Sequence, residues 1–343
     1  MSLYRTIRIS EIREEVSQFK LFIFEEGHGL FYKAGQYLTL VRLLGKEEIR
    51  RSYSIVSSPL LEEPLSIGVK RIENGFFSRE LFDRAKPGDL LETTGVGGLF
   101  TLPADINSFD QLFFFAAGSG ITPVYSLLRT ALHAYPRINT VLVYSNSSPG
   151  STIFLEPLKT LQTQFGDRLK LQLLFSNSEN LSHARLHRLY LFELLDRFLA
   201  KSRRTVFYVC GPEAYMRMCI YSLQEWGIPS SLIRKENFLI PSHHSFVQPP
   251  DKNSYVAGIW YGGQRHDVTV TYPDTILRAA KKSGLVLPYS CEAGRCGNCV
   301  ALCKKGRVWH AYNEVLTEKE LSEGFILTCT AHPQGGNVEL EIH

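Results

Sequence analysis

The sequence predicts a multidomain protein with β, α/β and α+β parts: an antiparallel barrel, a parallel-sheet domain and a small C-terminal unit. Three observations predict it. The chain has 343 residues, long for one domain at roughly 100–200 residues each. Short alternating strands give way near residue 106 to strands separated by helices. Four of the seven cysteines crowd between Cys291 and Cys303.

Residues 1–105 carry six alternating runs: Tyr4–Ile9, Phe19–Phe24, Gln36–Arg42, Arg51–Val56, Leu65–Val69 and Leu90–Thr94. Glycine and proline punctuate them, a spacing that predicts an antiparallel barrel. Residues 106–240 follow another grammar. Strands Leu112–Ala117, Thr140–Tyr144, Leu169–Phe175 and Thr205–Cys210 alternate with helices Val124–Ala134, Glu156–Phe165, Leu189–Leu199 and Glu213–Trp226. Such alternation predicts a parallel sheet covered on both faces. Residues 241–253 are proline-bearing and aperiodic, so they read as a solvated linker, His243 and His244 included. Residues 254–343 open with a hairpin, Val256–Trp260 and Asp267–Thr271, around Gly262-Gly263. Helix Thr275–Ser283, a cysteine loop and strands Gly324–Thr330 and Asn337–Ile342 complete the unit.

Composition narrows the function classes. Hydrophobic residues make up 44% and charged residues 21%, which supports a buried core and excludes disorder throughout. The net charge of +4 comes from 38 basic and 34 acidic residues. Its basic pairs are scattered, so no nucleic-acid partner is expected. No apolar run nears the roughly 20 residues of a membrane helix, and the charged opening segment lacks the core of a signal peptide. A cytoplasmic protein with no membrane partner is the expectation. An odd, clustered set of cysteines in such a chain points to metal or redox chemistry rather than disulfides.

Cys291, Cys296 and Cys299 form a C-x4-C-x2-C run, and Cys329 follows 30 residues after Cys299. This is the plant-type spacing of 2Fe–2S ligands. Zinc is the alternative for four thiolates, but its motifs usually pair two short knuckles. Cys303 lies in an alternating run and Cys219 in an apolar helix, so both read as packing residues. The C-terminal unit resembles a plant-type ferredoxin domain, which implies a β-grasp fold. Free ferredoxins of that kind are typically acidic, whereas residues 254–343 hold nine acidic and nine basic residues. A tethered module is the better expectation.

Upstream, Phe115-Ala116-Ala117-Gly118-Ser119-Gly120-Ile121-Thr122-Pro123 is a strand, a glycine turn and a helix start. Glycines there let a pyrophosphate approach the helix amides. Cys210-Gly211-Pro212 ends a second parallel strand and belongs at the same sheet edge. In the barrel, Arg51 can neutralise a phosphate, Tyr53 can stack on a flat ring and Ser54 can bond a ring nitrogen. Gly75-Phe76-Phe77-Ser78 offers a second amide-rich helix start.

Taken in order, these segments resemble the ferredoxin–NADP reductase superfamily over about residues 1–240. With the C-terminal unit added, the chain is similar to reductase components of bacterial oxygenases, such as those of the phenylacetyl-CoA epoxidase type. The resemblance implies that Arg51, Tyr53, Ser54, Gly75, Phe76, Phe77, Ser78 and Phe238 hold a flavin. It implies that Gly118, Gly120, Thr122, Pro123, Cys210, Gly211 and Pro212 hold NAD(P)H, with Ser54 and Cys210 at the reacting centre. Phthalate-dioxygenase-type reductases use FMN; the Gly75–Ser78 turn, suited to a pyrophosphate, favours FAD. No acidic residue ends strand Thr140–Tyr144, and Ser176, Asn177, Arg185 and Arg188 could meet a 2′-phosphate, so NADPH is favoured over NADH. The family's serine–arginine pair is absent, since Asn177 follows Ser176. The implied activity is electron transfer from NAD(P)H through flavin and cluster to a protein, an oxygenase component first, with another redox protein or a redox sensor as alternatives.

Overall fold

The computed structural model describes residues 4–44, 47–199, 204–238 and 248–342. The expected linker up to residue 247, with His243 and His244, lies outside the described residues. The described residues divide into two compact units, Arg5–Val96 with Phe100–Phe238, and residues 248–342 with Tyr4 and Gly97–Leu99.

The larger unit opens with β1 (Arg5–Val16), β2 (Phe19–Phe24), β3 (Tyr37–Leu44), β4 (Glu47–Ser54), β5 (Ser66–Lys70), α1 (Phe76–Arg84) and β6 (Leu90–Gly97). The strands lie in the order β4-β3-β6-β1-β2-β5, and a bridge from Ile55 to Ile67 closes the barrel beyond β4. Inward residues such as Ile7, Ile9, Phe22, Leu38, Leu40 and Ile67 fill it, and Phe77 and Leu81 of α1 plug it. β1 runs past the expected end at Ile9, because its charged stretch still finds a ladder partner in β2 while most of those side chains stay at least partly exposed.

The same unit continues with β7 (Gln111–Ala117), α2 (Ile121–Ala134), β8 (Asn139–Asn146), α3 (Leu155–Phe165), β9 (Leu169–Phe175), α4 (Leu181–Ala184), α5 (Arg188–Phe198), β10 (Thr205–Cys210), α6 (Glu213–Glu225) and β11 (Ile233–Glu236). These strands pair in parallel in the order β11-β10-β7-β8-β9. The chain reverses direction across the sheet between β7 and β10, which makes their carboxyl ends a switch point for ligands. Every residue of β7 is buried: Leu112, Phe114 and Ala116 join the core of α2 and α3, while Phe113 and Phe115 join that of α5 and α6. Helix α2 begins at Ile121 rather than Val124. Pro123 then occupies the third helical position, where a backbone N–H has no partner to lose.

The smaller unit contains β12 (Tyr255–Tyr261), β13 (Gln264–Val270), α7 (Ile276–Lys282), β14 (Val300–Lys305), β15 (Val308–His310), α8 (Glu318–Ser322), β16 (Phe325–Leu327), β17 (Ala331–Pro333) and β18 (Val338–Glu341). Gly262 and Gly263, both at positive φ, make the two-residue turn that pairs β12 with β13. The mixed sheet β13-β12-β18-β14-β16 packs its apolar face on α7, the expected β-grasp arrangement. One expectation changes here. Strand Gly324–Thr330 shrinks to β16, because its ladder with β14 stops at Leu327, and Cys329 stands in the turn beyond it. Cys303 lies in β14 and Cys219 is fully buried in α6.

Candidate functional site

β4 is registered on β3 so that Leu40 faces Arg51, Leu38 faces Tyr53 and Tyr37 faces Ser54. Alternation places Arg51 and Tyr53 on one face. Arg51 is exposed and its Nη1 donates to the Arg50 carbonyl at 2.7 Å. The Tyr53 ring lies 6.2 Å from that of Phe77, which joins the strand to the start of α1. There the amides of Phe76, Phe77 and Ser78 precede the helix's own ladder; Arg79 N–H donates to the Gly75 carbonyl at 3.0 Å. Ser78 spends its hydroxyl on the turn, accepting from Ile72 N–H and donating to the Gly75 carbonyl, both at 3.2 Å. A Cβ on Gly75 would sit 2.5 Å from that hydroxyl. A cation, a flat ring and three helix amides on one patch fit the pyrophosphate and ring of FAD.

Ser54, Cys210 and Glu236 come together at the switch point. Cys210 is registered opposite both Ala116 and Glu236, and Ser54 Oγ donates to Glu236 Oε1 at 3.0 Å. Burial raises the Glu236 carboxyl from its ordinary 4.5 to about 8, the Ser54 bond offsetting part of the shift. Burial, and then the nearby Glu236 charge, push the Cys210 thiol well up, so it stays protonated. Sequence reasoning does not single out Glu236 as a site residue. Its only signal is the Glu236-Asn237-Phe238 segment, which draws the eye to its aromatic; Phe238 is 43% exposed. Thr122 is buried, donates to the Ser119 carbonyl at 2.8 Å and packs against Gly68 of the barrel, where a Cβ would fall 2.6 Å from its methyl.

The glycines divide their work. Gly118 has φ 54° and open space where a Cβ would stand, so its backbone faces the cavity. A Cβ on Gly120 would lie 2.3 Å from the Cys210 carbonyl oxygen, and one on Gly211 would lie 3.0 Å from Ala117 Cβ. Those two glycines let the loops after β7 and β10 touch. Pro212 caps α6. Beside them a cavity of about 580 Å³ is lined by Gly118, Ser145, Asn146, Ser176, Arg185 and Pro212, among others. Lys70 and Arg185 are the charged side chains in its lining, which contains no carboxylate. Arg188 is paired with Glu225 instead.

Cys291, Cys296 and Cys299 occupy the loop between α7 and β14, and all four candidate ligands are unbridged. The thiols fall into two hydrogen-bonded pairs, Cys291 with Cys296 and Cys299 with Cys329, with all four near one another. Amides of Ala293, Arg295 and Cys296 point at the Cys291 sulfur, and that of Asn298 at Cys296. Positive φ at Glu292, Gly294 and Gly297 bends the loop for this. Among the described residues no three His, Cys, Asp or Glu side chains close on a single ion position. Four thiols in two hydrogen-bonded pairs fit the two irons of a 2Fe–2S cluster.

Comparison with known proteins agrees with this geometry. Residues 4–102 match the family described as oxidoreductase FAD-binding domain, 114–220 the oxidoreductase NAD-binding domain, and 261–334 the 2Fe-2S iron-sulfur cluster binding domain. The ferredoxin reductase component of 3-ketosteroid-9-alpha-monooxygenase from Mycolicibacterium smegmatis is 30% identical, with 97% of this chain and 96% of that protein aligned. A component of the 1,2-phenylacetyl-CoA epoxidase of Escherichia coli is 31% identical over 90% of this chain and 88% of its own. Phthalate dioxygenase reductase shares the fold at a TM-score of 0.61 and 21% identity, covering 99% of this chain and 98% of that one. Among the described residues no helix is long and apolar enough to cross a membrane.

Proposed function

Because the chain belongs to the family of oxygenase reductase components that join FAD-binding, NAD-binding and 2Fe–2S domains, we propose that it draws electrons from NADPH and delivers them to an oxygenase component. When bound, the flavin accepts a hydride and releases electrons singly, and the cluster takes one at a time; the protein supplies position and electrostatics. Domain limits of 1–105, 106–240 and 254–343 and a cytoplasmic setting belong to the same proposal.

The observation that carries the reading is the meeting of Ser54, Cys210 and Glu236 at the edge where barrel and parallel sheet join. Ser54 Oγ is placed to bond the reacting ring nitrogen of the flavin. Glu236 holds a proton on its carboxyl near neutral pH, and the protonated Cys210 thiol adds a small, neutral surface for the nicotinamide. Thr122 and Pro123 fix the turn beneath the dinucleotide. Arg51, Tyr53 and the amides from Gly75 to Ser78 hold the flavin's phosphates and ring, with Phe238 beside it. Cys291 and Cys296 would hold one iron, Cys299 and Cys329 the other.

NADPH is favoured by the cavity lining. An NADH site commonly places a carboxylate on the ribose hydroxyls, whereas Arg185 and Ser176 here suit a 2′-phosphate. Anaerobic titration of the holoprotein with each nucleotide tests this. Both flavin and cluster bands should bleach at lower NADPH than NADH, and Arg185→Ala should raise the KM for NADPH at least tenfold while sparing NADH. Equal response to both nucleotides, unaltered in the variant, would reject the preference.

A further inference from the structure

Arg295 stands between Gly294 and Cys296, and its own amide bonds the Cys291 sulfur. Its side chain turns inward. Only 8% of it is exposed, against 16% for Glu314, whose Oε2 lies 2.7 Å from Arg295 Nε. Arg295 Nη2 donates to Tyr312 Oη at 3.3 Å, and Tyr312 Oη donates to Glu314 Oε2 at 2.8 Å.

The segment carrying Tyr312 and Glu314 is fastened to both ligand-bearing stretches. Glu314 N–H donates to the Gly294 carbonyl at 3.0 Å, inside the loop of three cysteines. Thr330, next to Cys329, donates from Oγ1 to the Tyr312 carbonyl at 2.7 Å, and its carbonyl accepts from Ala311 N–H at 2.9 Å. A buried cation and its counter-charge are therefore held rigidly against the cysteine loop. Water screens such charges poorly, and the reduction potential of an iron–sulfur centre responds to net charge around it.

We propose that the buried Arg295–Glu314 pair sets the reduction potential of the cluster, the guanidinium favouring the electron-loaded form and the carboxylate holding that effect down. The inference deepens the proposed function and rests on its assignment of Cys291, Cys296, Cys299 and Cys329 as ligands. The step concerned is transfer of one electron from reduced flavin to the cluster; no bond is made or broken. Arg295 and Glu314 are positioning residues, since neither is a ligand.

The test is an anaerobic, dye-mediated redox titration of the full-length holoprotein, followed by visible absorption and electron paramagnetic resonance. Glu314→Gln leaves the cation uncompensated and should move the midpoint to a more positive potential. Arg295→Met leaves the anion and should move it to a more negative one. The double variant should return close to the starting value, and the charge-preserving Arg295→Lys and Glu314→Asp should stay near it even where fork geometry is lost. Shifts of the same sign in the two single variants, or no shift in either, overturn the proposal; a merely structural role would produce one of these. Iron and acid-labile sulfide are measured in every sample. Full content with unmoved potentials sinks this inference alone, whereas an unaltered protein that takes up zinc and no sulfide sinks the ligand assignment and the inference with it.

Discussion

Glu236 gives Ser54 and Cys210 a common partner and carries a pH signature of its own. Its carboxyl is raised from 4.5 to about 8 by burial, so the folded chain retains a proton that the unfolded chain gives up above pH 4.5. The native state binds more protons across that window, and stability from this group therefore falls as pH rises from about 4.5 to about 8 and is level beyond. The same proton sits one hydrogen bond from Ser54 Oγ. Flavin reduction by NADPH, followed by stopped flow, should show an inflection near pH 8 that Glu236→Gln abolishes, with flavin content unchanged. That variant should also flatten the decline in denaturant midpoint over the same range. An inflection that survives the substitution would assign the titration to another group.

At the scale of elements, the turns after β7 and β10 depend on each other. Gly120 has an ordinary helical φ, so backbone strain is not its reason for being glycine. The reason is the Cys210 carbonyl, whose oxygen would stand 2.3 Å from any Cβ placed there. Gly120→Ala must push the turns apart, and overpacking of this kind costs about 1–3 kcal/mol. Urea denaturation should register that loss, and KM for NADPH should rise because Thr122 moves with the turn. Unchanged stability and KM would show that the turns have slack. Legibility follows the same division between local and tertiary causes. The cysteine loop, the glycine turn and the apolar run Leu112–Ala117 of β7 are readable in the sequence because spacing and periodicity act locally. β1 beyond Ile9 is not, since exposed charges hide a strand that its partner β2 stabilises. Cys329 reads as a strand residue because the apolar run continues past the point where the ladder stops. Glu236 looks like any charged residue in a four-residue strand; its hydrogen-bond partner, Ser54, lies 182 positions away.

For the molecule as a whole, that separation matters beyond equilibrium structure. The hairpins of the barrel and the helix–strand units of the parallel sheet join neighbouring segments, whose contacts close early, while the ladders of β1 with β6 and of β7 with β10 bridge longer stretches. The Ser54–Glu236 contact closes a span of 182 positions, longer than any of these ladders, so it is expected to form late in folding. Competence for hydride chemistry would then be time-ordered: a larger unit with its barrel and its other four parallel strands in place would stay inactive until its last strand, β11, docks beside β10. During refolding with excess FAD, circular dichroism should recover before NADPH-driven flavin bleaching, with a lag lengthened by substitutions in Ile233–Glu236. Simultaneous recovery would mean that β11 joins at the outset. A growing polypeptide that has completed only its barrel would then carry a flavin platform without the carboxyl that completes it, and the late arrival of β11 acts as a built-in delay before the protein becomes reactive.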